Sequence, residues 1–212
     1  MKLALATLLV LLPAGLLAGR WLAHMRFSGK VWLEAAVLLP LVLPPTVMGY
    51  YLLVALGGAS PVGQWLASVL GVSLTFNFTG LLLASVVFNI PFMVQPIQRA
   101  FESIPPNLNE AAHVCGLSAW QTFLKVELPL AWPGVLAAMV LTFVHTLGEF
   151  GVVLMVGGSI PGETRTLAIA IYDSVQSFDL QSANTMALAL LMFSMFAVAA
   201  SLLLSRRKGG GA

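Results

Sequence analysis

The sequence predicts an all-α integral membrane protein with about five transmembrane helices in one domain spanning residues 1–212. Three observations carry that expectation. Hydrophobic residues make up 59% of the chain and charged residues only 8%, whereas a water-facing surface needs roughly a quarter of its residues charged. The apolar residues collect into runs close to the ~20 that a helix needs to cross roughly 30 Å of hydrocarbon. The few cations lie between or beyond those runs, mostly on alternate connections.

The first run, about 3–19, is short and begins at Met1, as a signal peptide would. It lacks an Ala-x-Ala exit and ends in Arg20-Trp21, a span meeting the interface, so it is counted as a helix that stays. The second, 35–56, holds Pro40, Pro44 and Pro45, and the third, 79–100, holds Pro91 and Pro96. Each proline removes a backbone donor and frees a carbonyl that lipid cannot satisfy. Such positions either face a pathway or simply kink packed helices, and Thr46, Ser85 and Asn89 nearby offer neutral hydrogen-bonding groups. The fourth run, 134–156, carries Thr142, His145, Thr146 and Glu149 at three- and four-residue spacing, hence on one helical face. An ionisable group at membrane depth is costly unless paired or wet. Glu149 is therefore expected to pair with Arg165 or a backbone donor near the outer mouth, leaving Thr142, Thr146, Gly148 and Gly151 to contact solute or form a gate. The fifth run is 184–204, and Gly209 to Ala212 reads as a frayed tail.

Orientation follows from the ten Lys and Arg. Arg20, Arg26, Lys30, Arg99, Lys125, Arg206, Arg207 and Lys208 fall on one side of a five-span chain, and only Lys2 and Arg165 on the other. Cations resist translocation, so the N-terminus is expected outside and the C-terminus in the cytoplasm. A net charge of +2 then reports topology and no affinity for nucleic acid.

Between the third and fourth spans lies a polar cytoplasmic segment, 107–127, with its own punctuation. Pro105-Pro106 stops the preceding helix, Asn107 can cap a new one, and Gly116 can end it. Ser118 and Gln121 form a second capping box, opening a helix expected to close before Pro129. Ala111 and Ala112 leave one side of the first helix without bulk, and Glu110 supplies a charge. This is either a docking joint for a cytosolic partner or an ordinary capped loop.

Glu110-Ala111-Ala112, then Gly116, then Leu128-Pro129, resemble the coupling loop of permeases from ATP-binding-cassette importers. Leu39 to Pro45, Gly148 to Gly151 and Ile160 to Thr166 resemble the molybdate branch of that family, and the likeness runs from about Leu3 to about Leu204. The resemblance implies the type I importer permease fold, in the bacterial plasma (inner) membrane. It implies Glu110, Ala111, Ala112 and Gly116 as the contact for an ATPase subunit that holds ATP and Mg. Thr142, His145, Thr146, Glu149, Pro44 and Pro45 become the pathway or gate, and Pro161, Gly162, Glu163, Thr164 and Arg165 an outer loop facing a molybdate-binding protein. Many relatives carry a polar leader that this chain nearly lacks, so a late start or a missing first helix is expected.

The chain has no Gly-x4-Gly-Lys-Ser/Thr phosphate loop, no Ser, His and Asp arrangement and no redox dicysteine. No catalytic residue, bound cofactor or metal site is therefore assigned; His24, His113 and His145 are far apart, and Cys115 stands alone. Five helices enclose little space for a hydrated oxyanion, and no internal repeat is visible, so a homodimer is expected to supply the second wall. Ala137, Ala138, Gly148, Ala187 and Ala189 would permit close helix contact. In the outer connection Leu167, Ile171 and Val175 recur every four residues, as in an interfacial helix. Tungstate or sulfate as cargo, an ion-coupled transporter with Glu149 and His145 relaying protons, and a non-transporting scaffold are the alternatives.

Overall fold

The computed structural model describes residues 1–71 and 74–209; the last residues of the expected tail lie outside the described part. It is all-helical: α1 Lys2–His24, α2 Lys30–Val42, α3 Pro45–Leu56, α4 Pro61–Leu70, α5 Phe78–Glu102, α6 Pro106–Val114, α7 Ala119–Thr122, a π turn Phe123–Glu127, α8 Leu128–Gly148, α9 Gly151–Gly157, α10 Leu167–Gln176 and α11 Leu180–Gly209.

Helix α5 is the axis of the bundle, packed by α1, α2, α8 and α9. Its contact with α1 is close because α1 presents Gly15 and Gly19 four residues apart, a small-residue seam of the kind that brings membrane helices together. A Cβ on Gly15 would stand 2.4 Å from Met93 Cγ, and one on Gly19 2.6 Å from Ile97 Cγ2. Gly134 of α8 likewise leaves room for Ala100 of α5. The core filled by this packing runs through Leu11, Met93, Ile97, Phe101, Val135 and Ala138.

Four helical stretches are long and apolar enough to cross a membrane, Lys2–His24, Phe78–Glu102, Ala119–Gly148 and Leu180–Leu203. The expected second span is not one helix but α2 and α3, bent by 108°. The cause is the double proline. Each proline pushes the residue before it out of the helical region, and here Leu43 (ψ 140°) and Pro44 (ψ 135°) are both extended. The single prolines Pro13, Pro40, Pro91 and Pro96 leave α1, α2 and α5 continuous. Lys30 lies beside Glu102 at one end of α5, and the chain reaches Phe78 at its other end only after α2, α3 and α4. The broken pair therefore belongs to a fifth crossing made in pieces.

The fourth span is also redrawn. Glu149 is extended (ψ 127°), so the predicted 134–156 run divides into α8 and α9. At its other end the helix opened by Ser118 does not close before Pro129. It continues through the π turn into α8, where Pro129 sits in the first turn and needs no hydrogen-bond acceptor. Arg20, Lys30 and Arg99 cluster at one end of the bundle with Glu127 and Glu102, while Lys2 and Arg165 line a cavity at the other, the segregation expected from their places in the sequence.

Candidate functional site

A chain of buried polar side chains crosses the interior where α8 breaks. Positions 85, 88, 89 and 92 share one face of α5, and this face meets His145 and Glu149. Thr7 of α1 donates its hydroxyl to Ser85 Oγ at 3.0 Å, and Ser85 donates to Glu149 Oε2 at 3.5 Å. Asn89 Nδ2 donates to the same Oε2 at 3.2 Å and to the Ser85 carbonyl at 2.8 Å. Asn89 Oδ1 is left as an acceptor, so the hydrogen on His145 Nδ1, 2.9 Å away, completes the pair. The imidazole stacks on Phe92, with ring centroids 3.8 Å apart, and tilts against Phe88.

Glu149 is 6% exposed and partnered from α5, not from Arg165. Arg165 Nε instead pairs with Asp173 Oδ2 at 3.1 Å, because α10 returns over the outer loop and brings Asp173 within reach. The local fold explains the difference. Extending the backbone at Glu149 turns its side chain back toward α5, and the other carboxyl oxygen, Oε1, is buried without a protein partner. Thr142 and Thr146 are buried; Thr146 Oγ1 donates to the Thr142 carbonyl at 2.7 Å, and Thr142 Oγ1 has no partner. Thr7 was not singled out from the sequence, although a hydroxyl alone in an apolar run signals that position.

The two helix breaks touch. A Cβ on Gly151 would lie 2.9 Å from Pro45 Cβ and 3.3 Å from Thr46 N, so α9 starts directly against the first turn of α3. The structure thus brings Pro45, Glu149 and Gly151 together in one junction. In the outer loop, Thr164 donates to the Gly157 carbonyl at 2.7 Å and accepts from Ile160 N, folding 157–165 onto α9. Gly162 takes φ +82° at its tip. Gly162, Glu163, Thr164 and Arg165 line a cavity of about 490 Å3 with Lys2 and Thr146. Pro161 is exposed, and α10 is anchored by Ile169, with Leu167 and Val175 outside.

At the other end, α6 begins at Pro106 behind Pro105, one residue before the expected Asn107 cap. It ends in a Schellman turn: Leu117 N bonds the Ala112 carbonyl, Gly116 N bonds the His113 carbonyl, and Gly116 takes φ +79°. The Ser118–Gln121 capping box is present in both directions. Glu110, Ala111 and Gly116 face outward, whereas Ala112 is buried, so the small-residue side open to a partner is that of Ala111 alone.

An all-helical membrane chain with a capped elbow between spans and interrupted spans is the architecture of a transporter's membrane subunit. The chain matches, over residues 12–209, the family described as binding-protein-dependent transport system inner membrane component, and it belongs to that family. It is a multi-pass inner-membrane permease component and not itself a catalyst. It is 46% identical to the molybdenum transport system permease protein ModB of Azotobacter vinelandii over 100% of this chain and 93% of that one. With the ModB of Escherichia coli (strain K12) it shares 38% identity, covering 84% of this chain and 77% of the relative. The sulfate transport system permease protein CysT of the same strain is 34% identical, over 85% of this chain and 65% of that protein. The crystal structure of a bacterial ABC transporter that imports alginate superposes with a TM-score of 0.76 at 19% identity, covering 97% of this chain and 76% of its counterpart. That likeness shows the importer permease fold.

Proposed function

We propose that this chain is the membrane subunit through which molybdate enters the cell, working as a homodimer with a separate ATPase subunit and an external molybdate-binding protein. The observation that carries the cargo is the 46% identity to a molybdenum permease along the whole chain, against 34% to a sulfate permease over part of it. Glu110, Ala111 and the Gly116 turn form the docking elbow for the ATPase, which binds ATP and Mg; Ala112 anchors that elbow from inside. The outer loop of Pro161, Gly162, Glu163, Thr164 and Arg165 faces the binding protein.

Alternating access then centres on the junction of Pro44, Pro45, Glu149 and Gly151. Two short helices meeting end-on can separate without unfolding either, which a continuous span cannot do. Thr142, His145 and Thr146 hold the α8 side of this junction. A buried carboxylate facing the route would repel an oxyanion, so the bonds from Asn89 and Ser85 that turn Glu149 toward α5 serve the transport of an anion. The same geometry disfavours proton relay, because an amide stands between His145 and Glu149.

The test is reconstitution of the chain with its ATPase subunit and binding protein in vesicles, with molybdate, tungstate and sulfate offered in turn. ATP-dependent uptake of molybdate in preference to sulfate, lost on Glu110→Lys, is expected. Uptake by the chain alone would replace this reading with an ion-coupled one, and preference for sulfate would reassign the cargo.

A further inference from the structure

The joint between the elbow and the bundle closes on a charge in the π turn. Glu127, the last residue of that turn, is 2% exposed. Its Oε2 accepts from Arg20 Nε, its Oε1 accepts from Asn109 Nδ2 at 3.1 Å, and His24 Nε2 lies 3.4 Å from Oε1. Arg20 and His24 belong to the last turns of α1, and Asn109 precedes Glu110 on α6. The Arg20 guanidinium also covers the Phe123 ring, 5.1 Å from its centroid, at the start of the same π turn. One carboxylate therefore ties α1 to α6 at the point where α7 passes into α8.

An apolar side chain could fill this space without the desolvation that a buried charge suffers. Apolar contact is non-directional, however, and would let α6 slide over α1. Releasing the cation would leave this buried carboxylate uncompensated, and releasing the amide would forfeit a hydrogen bond to a charged group, so the two helices are held to move together. The π turn is what aims it. A single wide turn of this kind is rare in helices and frequent at functional positions.

We propose that Glu127 is the positioning residue that passes displacement of α6 to α1, converting force on the elbow into movement of the first span. This rests on the reading of α6 as the ATPase docking element.

The experiment uses the complex of permease, ATPase subunit and binding protein in vesicles, with Glu127→Gln and Arg20→Ala variants and molybdate as probe. Three quantities are read: ATPase subunit retained, ATP hydrolysed, and molybdate imported per ATP. Both variants are expected to retain the ATPase subunit and hydrolyse ATP while import per ATP falls about fivefold or more, within the usual range of coupling between sites. The double variant should be no worse than either single one, because both cut the same link. An unchanged ratio, with losses explained wholly by less complex, would overturn the proposal. If Glu127→Gln does not assemble, Asn109→Ala and Arg20→Ala apply the same criterion from the half-buried partners. Failure of the docking reading looks different: the unaltered chain would then not retain the ATPase subunit through α6.

Discussion

Asn89→Leu tests the buried polar chain most directly. The substitution keeps the bulk of the side chain and removes three donor contacts, to the Ser85 carbonyl at 2.8 Å, Ser85 Oγ at 3.3 Å and Glu149 Oε2 at 3.2 Å. It also removes the acceptor for His145 Nδ1. Two groups then lose their main partner. Glu149, whose Oε1 already has no partner, keeps only the Ser85 hydroxyl at 3.5 Å, and the imidazole N–H keeps none of its described bonds. Loss of a partner costs a buried group about 1–3 kcal/mol, and His145 is only half-buried. Intramembrane hydrogen bonds average only about 0.6 kcal/mol because the membrane-inserted unfolded state finds substitutes, which favours the lower half of the sum. A loss of about 2–4 kcal/mol is expected, a large share of a total stability of about 5–15 kcal/mol. Unfolding by SDS in mixed micelles, followed by tryptophan fluorescence, measures it. Adding Glu149→Leu should recover at least half, since removing both partners of a hydrogen bond is close to neutral. A change below about 0.5 kcal/mol for Asn89→Leu, or strict additivity in the double variant, would refute the reasoning.

Gly151→Val should force apart the α3–α9 junction, costing about 1–3 kcal/mol by overpacking and lowering uptake per assembled complex; the check is transport normalised to complex. Gly80→Ala places a Cβ 1.5 Å from the Leu74 carbonyl oxygen, so folded protein recovered from membranes should fall severely. Ser118→Ala removes one half of the capping box and should cost about 1 kcal/mol, seen as faster hydrogen exchange in α7. Hydrogen bonds from Ser182 hold the Asp179 carboxyl below its ordinary 3.8. This contribution to the start of α11 is complete above that value and is lost as pH falls through the lowered one. Exchange of the Ser182 amide across that interval reads it.

What was legible in the sequence was mostly local. Ser118 and Gln121 stand three apart and satisfy each other whatever surrounds them, and Gly116 declares a left-handed turn by itself. The double proline announced an interruption, but its angle depends on how α3 packs on α9, a contact about a hundred residues away in sequence. Pro129 misled for a similar reason: a proline stops a helix only where its missing donor is needed, and the π turn places it where none is. The partner of Glu149 was hidden because Arg165 and Asn89 were both within plausible reach, and only the course of α10 removes the arginine to Asp173. Gly15 and Gly19 lay within a run counted as apolar length, so their role as a seam was not read.

The π turn places one residue more between α7 and α8 than regular winding would need. Since successive residues in an α-helix are about 100° apart, the α7 and α8 portions of this single rod are out of phase by roughly that angle. Each portion can then present its own stripe to its own neighbour, instead of one stripe serving both. Shortening residues 123–127 by a single position would restore phase, turning the carboxylate away from α1 although no contact had been mutated. At this point the count of residues matters more than their kind.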